Sequence, residues 1–123
     1  MEFENRIAVV TGAAQGIGRV ISDEFRKQGA IVCTIDRQPD AYFTGDLAQE
    51  ETLRRFAERV VSEYGRVDYL INYALPLMKG IGDCSYEEFE YALRVGVTAP
   101  FYLTKLFKPY FAAGAAIVNI SSS

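Results

Sequence analysis

The stretch Ile7-Ala-Val-Val-Thr-Gly-Ala-Ala-Gln-Gly-Ile-Gly18 decides the fold of this chain, because an apolar run leads directly into glycines at positions 12, 16 and 18. Glycine has no Cβ, so the chain can turn sharply after a strand and a phosphate can approach the backbone N–H groups that begin the next helix. In such a turn, Gly12 allows the bend, Gly16 allows the close approach and Gly18 allows tight helix packing. We therefore predict a phosphate-binding turn over residues 12–18.

The residues around this turn predict a strand before it and a helix after it. Ile7–Val10 form a short apolar run, and apolar side chains then recur at helical spacing at Ile17, Val20, Ile21 and Phe25. Gly29 stands where a helix commonly ends on a left-handed residue. Glycines placed between a strand and a helix are much more specific than the same glycines alone.

Asp36 follows the second predicted strand, Ile31–Ile35, and lies 18 positions beyond Gly18. In a dinucleotide-binding fold, a carboxylate at about this spacing accepts hydrogen bonds from the ribose hydroxyls of the adenosine. An isolated aspartate here would more simply be a solvated loop residue. Because the glycines are in register with it, we interpret Asp36 as a ribose-binding residue.

The rest of the chain continues to alternate strands and helices. Further strands are predicted at Ala41–Gly45, Tyr69–Tyr73 and Ala116–Ile120. A helix between the first two of these carries an apolar stripe at Leu53, Phe56, Val60 and Tyr64. This pattern predicts one α/β domain over residues 1–123, with a Rossmann-like, doubly wound parallel sheet of order 3-2-1-4-5. A ligand crevice is expected at the carboxyl ends of strands 1 and 4, where the winding reverses.

A long helix is expected over residues 86–111. Ser85 and Glu88 form a capping box at its start, and Pro100 should bend or interrupt it by removing one backbone hydrogen bond. From position 91 onward its strongly polar residues are Arg94, Thr98, Thr104, Lys105 and Lys108. One face covers the sheet, and the remaining apolar surface indicates either a fully buried core helix or a subunit interface, of which we favour the interface.

Composition and charge exclude several classes of function. The 123 residues carry a formal net charge of −3 and no basic run, which argues against nucleic acid as the main partner. The apolar stretches are too short to span a bilayer and the first residues are acidic, so we expect a cytoplasmic protein with no membrane segment. No metal site is expected, because Cys33 and Cys84 have no pair spacing and the chain has no histidine. Without an imidazole, any proton transfer has to use tyrosine, lysine or a carboxylate.

With these motifs the chain resembles the short-chain dehydrogenase/reductase family. Residues 11–18 match the family's Thr-Gly-x-x-x-Gly-x-Gly turn at every fixed position, and the resemblance extends from Arg6 to Ser123. Asp46-Leu47 look like the family's adenine-contacting pair. The segment 117–122 looks like the strand that delivers the catalytic serine, which here would be Ser122.

The resemblance implies an oxidoreductase that transfers hydride between a nicotinamide cofactor and a small-molecule alcohol or carbonyl substrate. It implies NAD rather than NADP, because the Asp36 carboxylate would repel the additional phosphate of NADP, although Arg37 beside it offers an opposing charge. It also implies a homo-oligomer through the 86–111 helix. The cofactor-binding residues expected on this basis are Gly12, Gln15, Gly16, Ile17, Gly18, Asp36, Arg37, Asp46, Leu47, Asn72 and Ala74.

The chain departs from the family pattern in three places. It contains no tyrosine followed four residues later by lysine, which is the family's acid/base pair, so we expect an N-terminal part that ends before the catalytic Tyr/Lys helix and is inactive by itself. Asn72-Tyr73-Ala74-Leu75 stands where the family has Asn-Asn-Ala-Gly, and Gly96 stands in place of a helical asparagine. These departures leave two other functions open. One is a non-catalytic dinucleotide-binding or regulatory module, and the other is a scaffold that reuses the fold.

Overall fold

Five parallel strands form one sheet in the computed structural model, which describes residues 1–14, 16–74 and 79–120. The strands are β1 (Ile7–Thr11), β2 (Ile31–Asp36), β3 (Phe43–Thr44), β4 (Val67–Asn72) and β5 (Phe111–Asn119). Their order is β3-β2-β1-β4-β5, and each neighbouring pair runs parallel. The predicted Rossmann-like order is confirmed, with the winding reversing between β1 and β4.

Helices pack on both faces of this sheet. They are α1 (Gly16–Lys27), α2 (Glu50–Tyr64), α3 (Tyr86–Leu93) and α4 (Ala99–Phe107), with a π-helical turn (Arg94–Thr98) between α3 and α4. The capping box predicted at the start of α3 is present. The Ser85 hydroxyl accepts the Glu88 N–H at 3.1 Å, and the Glu88 carboxylate accepts the Ser85 N–H at 3.0 Å. Two backbone N–H groups that a helix start leaves open are thereby satisfied.

The long helix ends earlier than the predicted range of 86–111. The last α-helical residue is Phe107, a single 3₁₀ turn follows at Lys108–Tyr110, and Phe111 already belongs to β5. Pro109 has no backbone N–H to donate to another helical turn, which explains the stop. The predicted range was therefore wrong at its C-terminal end.

Pro100 stands next to the interruption that it was predicted to cause. The turn before it is π-helical, with the Ala99 N–H bonded to the carbonyl of Arg94, five residues earlier, and Pro100 lies in the first turn of α4. Proline is tolerated there because the first N–H groups of a helix have no intrahelical partner.

All five strands differ from their predicted bounds: β1 and β2 each extend one residue further, to Thr11 and Asp36, and β4 begins two residues earlier, at Val67. β5 covers nine residues and begins well before Ala116, because pairing with β4 outweighs the helix propensity of its alanines. Val67 pairs with Phe111 and Tyr69 with Ala116, so the pairing register shifts there and accommodates the additional residues of β5. β3 pairs with β2 at two positions only, so it is shorter than predicted. β4 stops at Asn72 because the next backbone N–H, that of Tyr73, bonds to a side chain of β1 instead.

The larger part of the core lies between the sheet and the helices α2 and α4. Phe56 on α2 and Phe107 on α4 are fully buried and meet edge to face, with their ring centroids 6.1 Å apart. On the opposite face, Phe25 of α1 packs against the buried side chains of Val10 and Ile71. Apolar strands covered on both sides produce the doubly wound architecture.

The carboxylate of Asp68 is buried in β4 and links it to β1. It accepts the Ile7 N–H at 2.8 Å and pairs with Arg66 Nε at 3.1 Å. Burial by itself would raise the pKa of this carboxyl, but the hydrogen bonds from Arg66 and Ile7 outweigh burial and lower the pKa below its ordinary value of 3.8. Asp68 is thus an ionised link that fixes the start of β1 beside β4.

β5 forms one edge of the sheet and is poorly covered. It pairs with β4 on one side, and its side chains of Ile117 and Val118 are 42% and 44% exposed. An edge strand with apolar side chains presents unpaired backbone groups together with apolar surface. This edge is the least protected part of the sheet that the structure describes.

Candidate functional site

A cavity of about 560 Å³ opens at the carboxyl ends of β1 to β4, where the winding of the sheet reverses. In open α/β sheets, ligands bind in the crevice at this point. Its wall is formed by Gly12, Ala14, Gly16, Asp36, Arg37, Gln38, Gly45, Asp46, Leu47, Tyr73, Ala74, Tyr91 and Val95. The crevice predicted from the strand order is therefore present, and it contains both aspartates that the sequence singled out.

The glycine turn has a backbone that requires glycine. Gly12 and Gly16 have φ angles of +69° and +62°, in the left-handed region that other residues rarely adopt. A Cβ on Gly12 would lie 2.7 Å from the Cα of Ala74, and a Cβ on Gly18 would overlap the carbonyl oxygen of Gly12. The turn therefore packs directly against the backbone that follows β4.

Helix α1 begins at this turn. Its first residue, Gly16, lines the cavity, and its first turn contains no acidic residue. The N-terminal N–H groups of a helix and its dipole attract anions. The first turn of α1 can accordingly receive a phosphate without displacing an acidic side chain.

Asp36 closes the side of the cavity next to the turn. Its Oδ2 accepts the Ala14 N–H at 3.1 Å, and its Oδ1 accepts the Gln38 N–H at 3.1 Å. An ionised carboxylate has about four acceptor positions, so each oxygen retains capacity for a further donor. The two backbone bonds hold the carboxylate between the glycine turn and the end of β2.

Thr11 joins the ends of β1 and β4 beneath the cavity. Its buried hydroxyl oxygen accepts the backbone N–H groups of Tyr73 and Ala74, each at 3.0 Å. Neither N–H has a strand partner, since β4 ends at Asn72. The sequence identified Thr11 only as the first letter of the glycine motif, because its partners lie more than sixty positions away.

Three side chains in the cavity wall form a hydrogen-bonded chain from Arg37 through Tyr91 to Asp46. Arg37 Nη1 donates to the Tyr91 hydroxyl at 3.2 Å, and the Tyr91 hydroxyl donates to Asp46 Oδ1 at 3.0 Å. The Ala48 N–H donates to the same oxygen at 2.9 Å. Burial, followed by the hydrogen bond to Asp46, raises the pKa of Tyr91. The hydroxyl therefore remains protonated at neutral pH.

Tyr91 and Val95 are site residues that the sequence reasoning missed. They lie one turn apart and line the cavity from α3 and the π-helical turn, and Val95 is 8% exposed. Tyr91 offered one signal: a hydroxyl on the sheet-facing side of a mostly apolar helix needs a polar partner there. Which partner it has depends on the tertiary fold.

Seven of the predicted cofactor-binding residues come together in this cavity, namely Gly12, Gly16, Asp36, Arg37, Asp46, Leu47 and Ala74. Gly18 supports the turn from below, and Ile17 is 59% exposed and outside the cavity wall. Asn72 is buried beside the cavity, where its Nδ2 donates to Asn119 Oδ1 at 2.8 Å. The predictions for Gln15, Leu75 and Ser122 lie outside the described residues.

A family model described as short chain dehydrogenase matches residues 6–123. The chain belongs to the short-chain dehydrogenase/reductase family. The match covers the glycine turn, both aspartates of the cavity and all five strands.

Individual members of the short-chain dehydrogenase/reductase family agree with this placement. General stress protein 39 of Bacillus subtilis is 29% identical over 140 aligned positions, which cover 98% of this chain and 49% of that protein. A metagenomic short-chain oxidoreductase solved in complex with NADP superposes with a TM-score of 0.92 at 27% identity, covering 100% of this chain and 64% of that chain. An apo SCOR enzyme from Clostridium thermocellum is 36% identical with a TM-score of 0.86, covering 96% of this chain and 54% of that one. The chain spans about half the length of the curated relatives it matches.

Two departures from the short-chain dehydrogenase/reductase pattern can be located in the structure. Tyr73, in the place of the second asparagine of Asn-Asn-Ala-Gly, is half-buried in the cavity wall, with its ring beside Gly18 and its hydroxyl near Gly16. Gly96 lies in the π-helical turn, is exposed and does not line the cavity. Of these two described departures, Tyr73 therefore affects the shape of the cavity and Gly96 does not.

The described residues contain neither a candidate metal site nor a helix that could span a membrane. Residues 1–14, 16–74 and 79–120 contain no group of three or more histidine, cysteine, aspartate or glutamate side chains arranged to hold a metal ion. Within the same ranges, no helix has the length and apolar character needed to cross a bilayer.

Burial, with the nearby Glu63, raises the pKa of the Cys33 thiol to about 12, which makes it unreactive.

Proposed function

We propose that residues 1–123 bind the ADP portion of a nicotinamide dinucleotide, and that the protein oxidises or reduces a small alcohol or carbonyl substrate. The observation that carries this proposal is the cavity at the switch point of the sheet, which brings the glycine turn together with Asp36 and Asp46. The fit is supported by Gly12, where a Cβ would clash with the Ala74 backbone. A cradle that only glycine can form is suited to a ligand that lies directly on the backbone.

Each part of the dinucleotide has a proposed partner in the cavity. The pyrophosphate binds at the glycine turn and the first N–H groups of α1. The adenosine ribose donates its hydroxyls to Asp36, whose oxygens each accept only one described backbone N–H. The adenine lies between the buried side chains of Leu47 and Val95, with its amino group toward Asp46. The nicotinamide portion extends past Asn72 and Ala74, at the end of β4.

The preference that we propose is NAD over NADP. The 2′-phosphate of NADP would meet the negative charge of Asp36, which the bonds from Ala14 and Gln38 hold in place. Arg37 carries the opposing charge beside Asp36, and one N–H of its guanidinium is bound to Tyr91. The metagenomic relative was solved with NADP and therefore does not support this preference. The proposed preference for NAD rests on Asp36 of this chain.

The reaction that we propose for the whole protein is hydride transfer. When bound, the nicotinamide accepts or donates the hydride. Ser122 is the proposed partner of the substrate oxygen, and the general acid/base has to come from a Tyr-x-x-x-Lys pair that residues 1–123 do not contain. We therefore expect these residues alone to bind dinucleotide without turning it over.

An apolar row on the long helix supports a homo-oligomer as its proposed assembly. Large side chains spaced four residues apart are exposed at Phe89 (49%), Leu93 (43%), Val97 (62%) and Phe101 (64%). They form one continuous strip along α3, the π-helical turn and α4, and exposed strips of this kind mark interaction surfaces. We propose a second copy of the chain as the partner, paired strip to strip.

The binding proposal is tested by calorimetric titration of the protein with NAD and with NADP. We expect NAD to bind more tightly than NADP. Asp36→Asn should reduce the ratio of the two dissociation constants by about tenfold, which corresponds to about 1.4 kcal/mol of lost repulsion between Asp36 and the 2′-phosphate. Asp83→Asn, on an exposed loop away from the cavity, is the matched control. Failure of the wild type to bind either dinucleotide would overturn the proposal, and equal binding of both would overturn the preference.

A further inference from the structure

The hydrogen bonds of Tyr91 have only one possible direction. A guanidinium has donors and no acceptor, so Arg37 donates to the Tyr91 oxygen and the Tyr91 proton must go to Asp46 Oδ1. The Ala48 N–H occupies the same carboxylate oxygen. Oδ1 therefore receives two donors, whereas Oδ2 receives none from the described residues.

Two consequences follow for the cavity. The two donors on Oδ1 fix the χ2 angle of Asp46, which otherwise varies easily. Oδ2 is then the oxygen that remains to accept a hydrogen bond from a ligand. The hydroxyl of Tyr91 also links Arg37 and Asp46, since it accepts from the first and donates to the second. Without it, the two charges could pair directly, and the arginine would then occupy the acceptor.

From this geometry we infer that Tyr91 is a positioning residue that makes the cavity select a 6-aminopurine over a 6-oxopurine. A carboxylate at neutral pH only accepts hydrogen bonds, so an Oδ2 held opposite the 6-position receives the amino group of adenine and repels the O6 carbonyl of hypoxanthine. A carboxylate free to turn could instead accept from the neighbouring N1–H of hypoxanthine, so the discrimination depends on the position that Tyr91 fixes. The inference rests on the proposed dinucleotide site and adds the residue that sets its base preference. Nothing in the glycine motif or in Asp46 alone would require a tyrosine at this position.

The test compares NAD with nicotinamide hypoxanthine dinucleotide, which differs from NAD in its base. Dissociation constants are measured by calorimetry for the wild type and for Tyr91→Phe. We expect the wild type to prefer NAD by about tenfold or more, as for a hydrogen bond to a charged group, and Tyr91→Phe to lose most of that ratio. A tyrosine with only a structural role would change both affinities together and leave the ratio unaltered.

Tyr102→Phe is the matched control. Its hydroxyl also donates to a carboxylate, Glu50 Oε2 at 2.7 Å, but it does not line the cavity. We expect this variant to keep the wild-type ratio. If Tyr91→Phe also keeps it, or if Tyr102→Phe loses it equally, the inference is overturned while the binding proposal stands. If the wild type binds neither dinucleotide, the proposed function fails and the inference fails with it.

Discussion

The hydroxyl oxygen of Thr11 accepts the backbone N–H of Ala74 at 3.0 Å, and this bond closes the floor of the cavity between β1 and the end of β4. The same oxygen accepts the Tyr73 N–H. One threonine thus satisfies two backbone donors that the sheet ladder leaves open.

Thr11→Val should destabilise the protein without changing its side-chain volume much. The substitution removes the acceptor of both N–H groups at a buried position, and unsatisfied buried donors cost about 1 to 3 kcal/mol each. We expect the free energy of unfolding in urea to fall by roughly 2 kcal/mol or more. Thr98→Val, at an exposed position, should change it by less than about 0.5 kcal/mol. Equal denaturation midpoints for the two variants would show that the Thr11 bonds do not support the fold.

The Asp68 carboxylate should contribute a pH-dependent part of the stability. Its pKa is lowered in the folded state from 3.8, so its contribution is complete above the unfolded-state pKa and is lost as the pH falls through the lower folded-state value. We expect the free energy of unfolding to decrease with acidification in this range, and Asp68→Asn to flatten that decrease while lowering neutral stability by roughly 1 to 3 kcal/mol.

The pH measurement needs a control because many carboxylates titrate in the same range. Asp83→Asn removes an exposed carboxylate for which no partner is described, so it should leave the slope of the wild type unchanged. If Asp68→Asn and Asp83→Asn give the same acid profile as the wild type, Asp68 is not the titrating link between β4 and β1.

Gly12→Ala should weaken dinucleotide binding. The φ angle of +69° is strained for alanine, and the new Cβ would lie 2.7 Å from the Cα of Ala74 in the cavity wall. We expect the dissociation constant for NAD to rise by at least about tenfold in calorimetry. Gly80→Ala is the matched control, because no described residue lies within 4 Å of a Cβ there. Wild-type affinity in Gly12→Ala would place the nucleotide elsewhere.

The apolar strip on the long helix should control assembly. Phe101→Glu places a charge on a side chain that is 64% exposed, so it should leave the fold intact and shift the protein to monomers in sedimentation velocity. Ile81→Glu, at a fully exposed loop position, should have no such effect. A wild type that sediments as a monomer at all accessible concentrations would contradict the proposed pairing.

The open edge at β5 should limit thermal stability. We expect residues 1–123 to unfold below about 60 °C or to aggregate on heating, because apolar side chains and backbone groups of the edge strand are unprotected. Val118→Lys should reduce light scattering during the melt, whereas Ile81→Lys should not. A cooperative melt of monomers above about 60 °C would refute this expectation.

The sequence predicted the parts of the site that depend on local pattern. The glycine turn and Asp36 lie within one strand-turn-helix-strand unit, where glycine spacing and apolar periodicity are read directly. The strand order followed from the same alternation, because parallel strands with helical connections have few ways to wind. For these features the local and the tertiary preferences agree.

The features that the sequence missed depend on distant contacts. Tyr91 meets Asp46 across 45 positions of the chain, so no local window contains both partners. The start of β5 was misplaced because Ala112, Ala113 and Ala115 favour a helix by themselves, and only pairing with β4 makes this segment a strand. Pro100 indicated that the long helix breaks, but the form of the break is set by how both halves pack.

The π-helical turn Arg94–Thr98 sets the rotational phase of the long helix. A π turn holds one residue more than an α turn, and each α-helical residue turns the helix by about 100°. The residue in excess thus lets Tyr91 reach Asp46 while Leu103, beyond the turn, is buried against the sheet. Deleting Gly96 would restore a regular α-helix but would rotate its two halves relative to each other. A regular helix would then lose either the Tyr91–Asp46 hydrogen bond or the burial of Leu103.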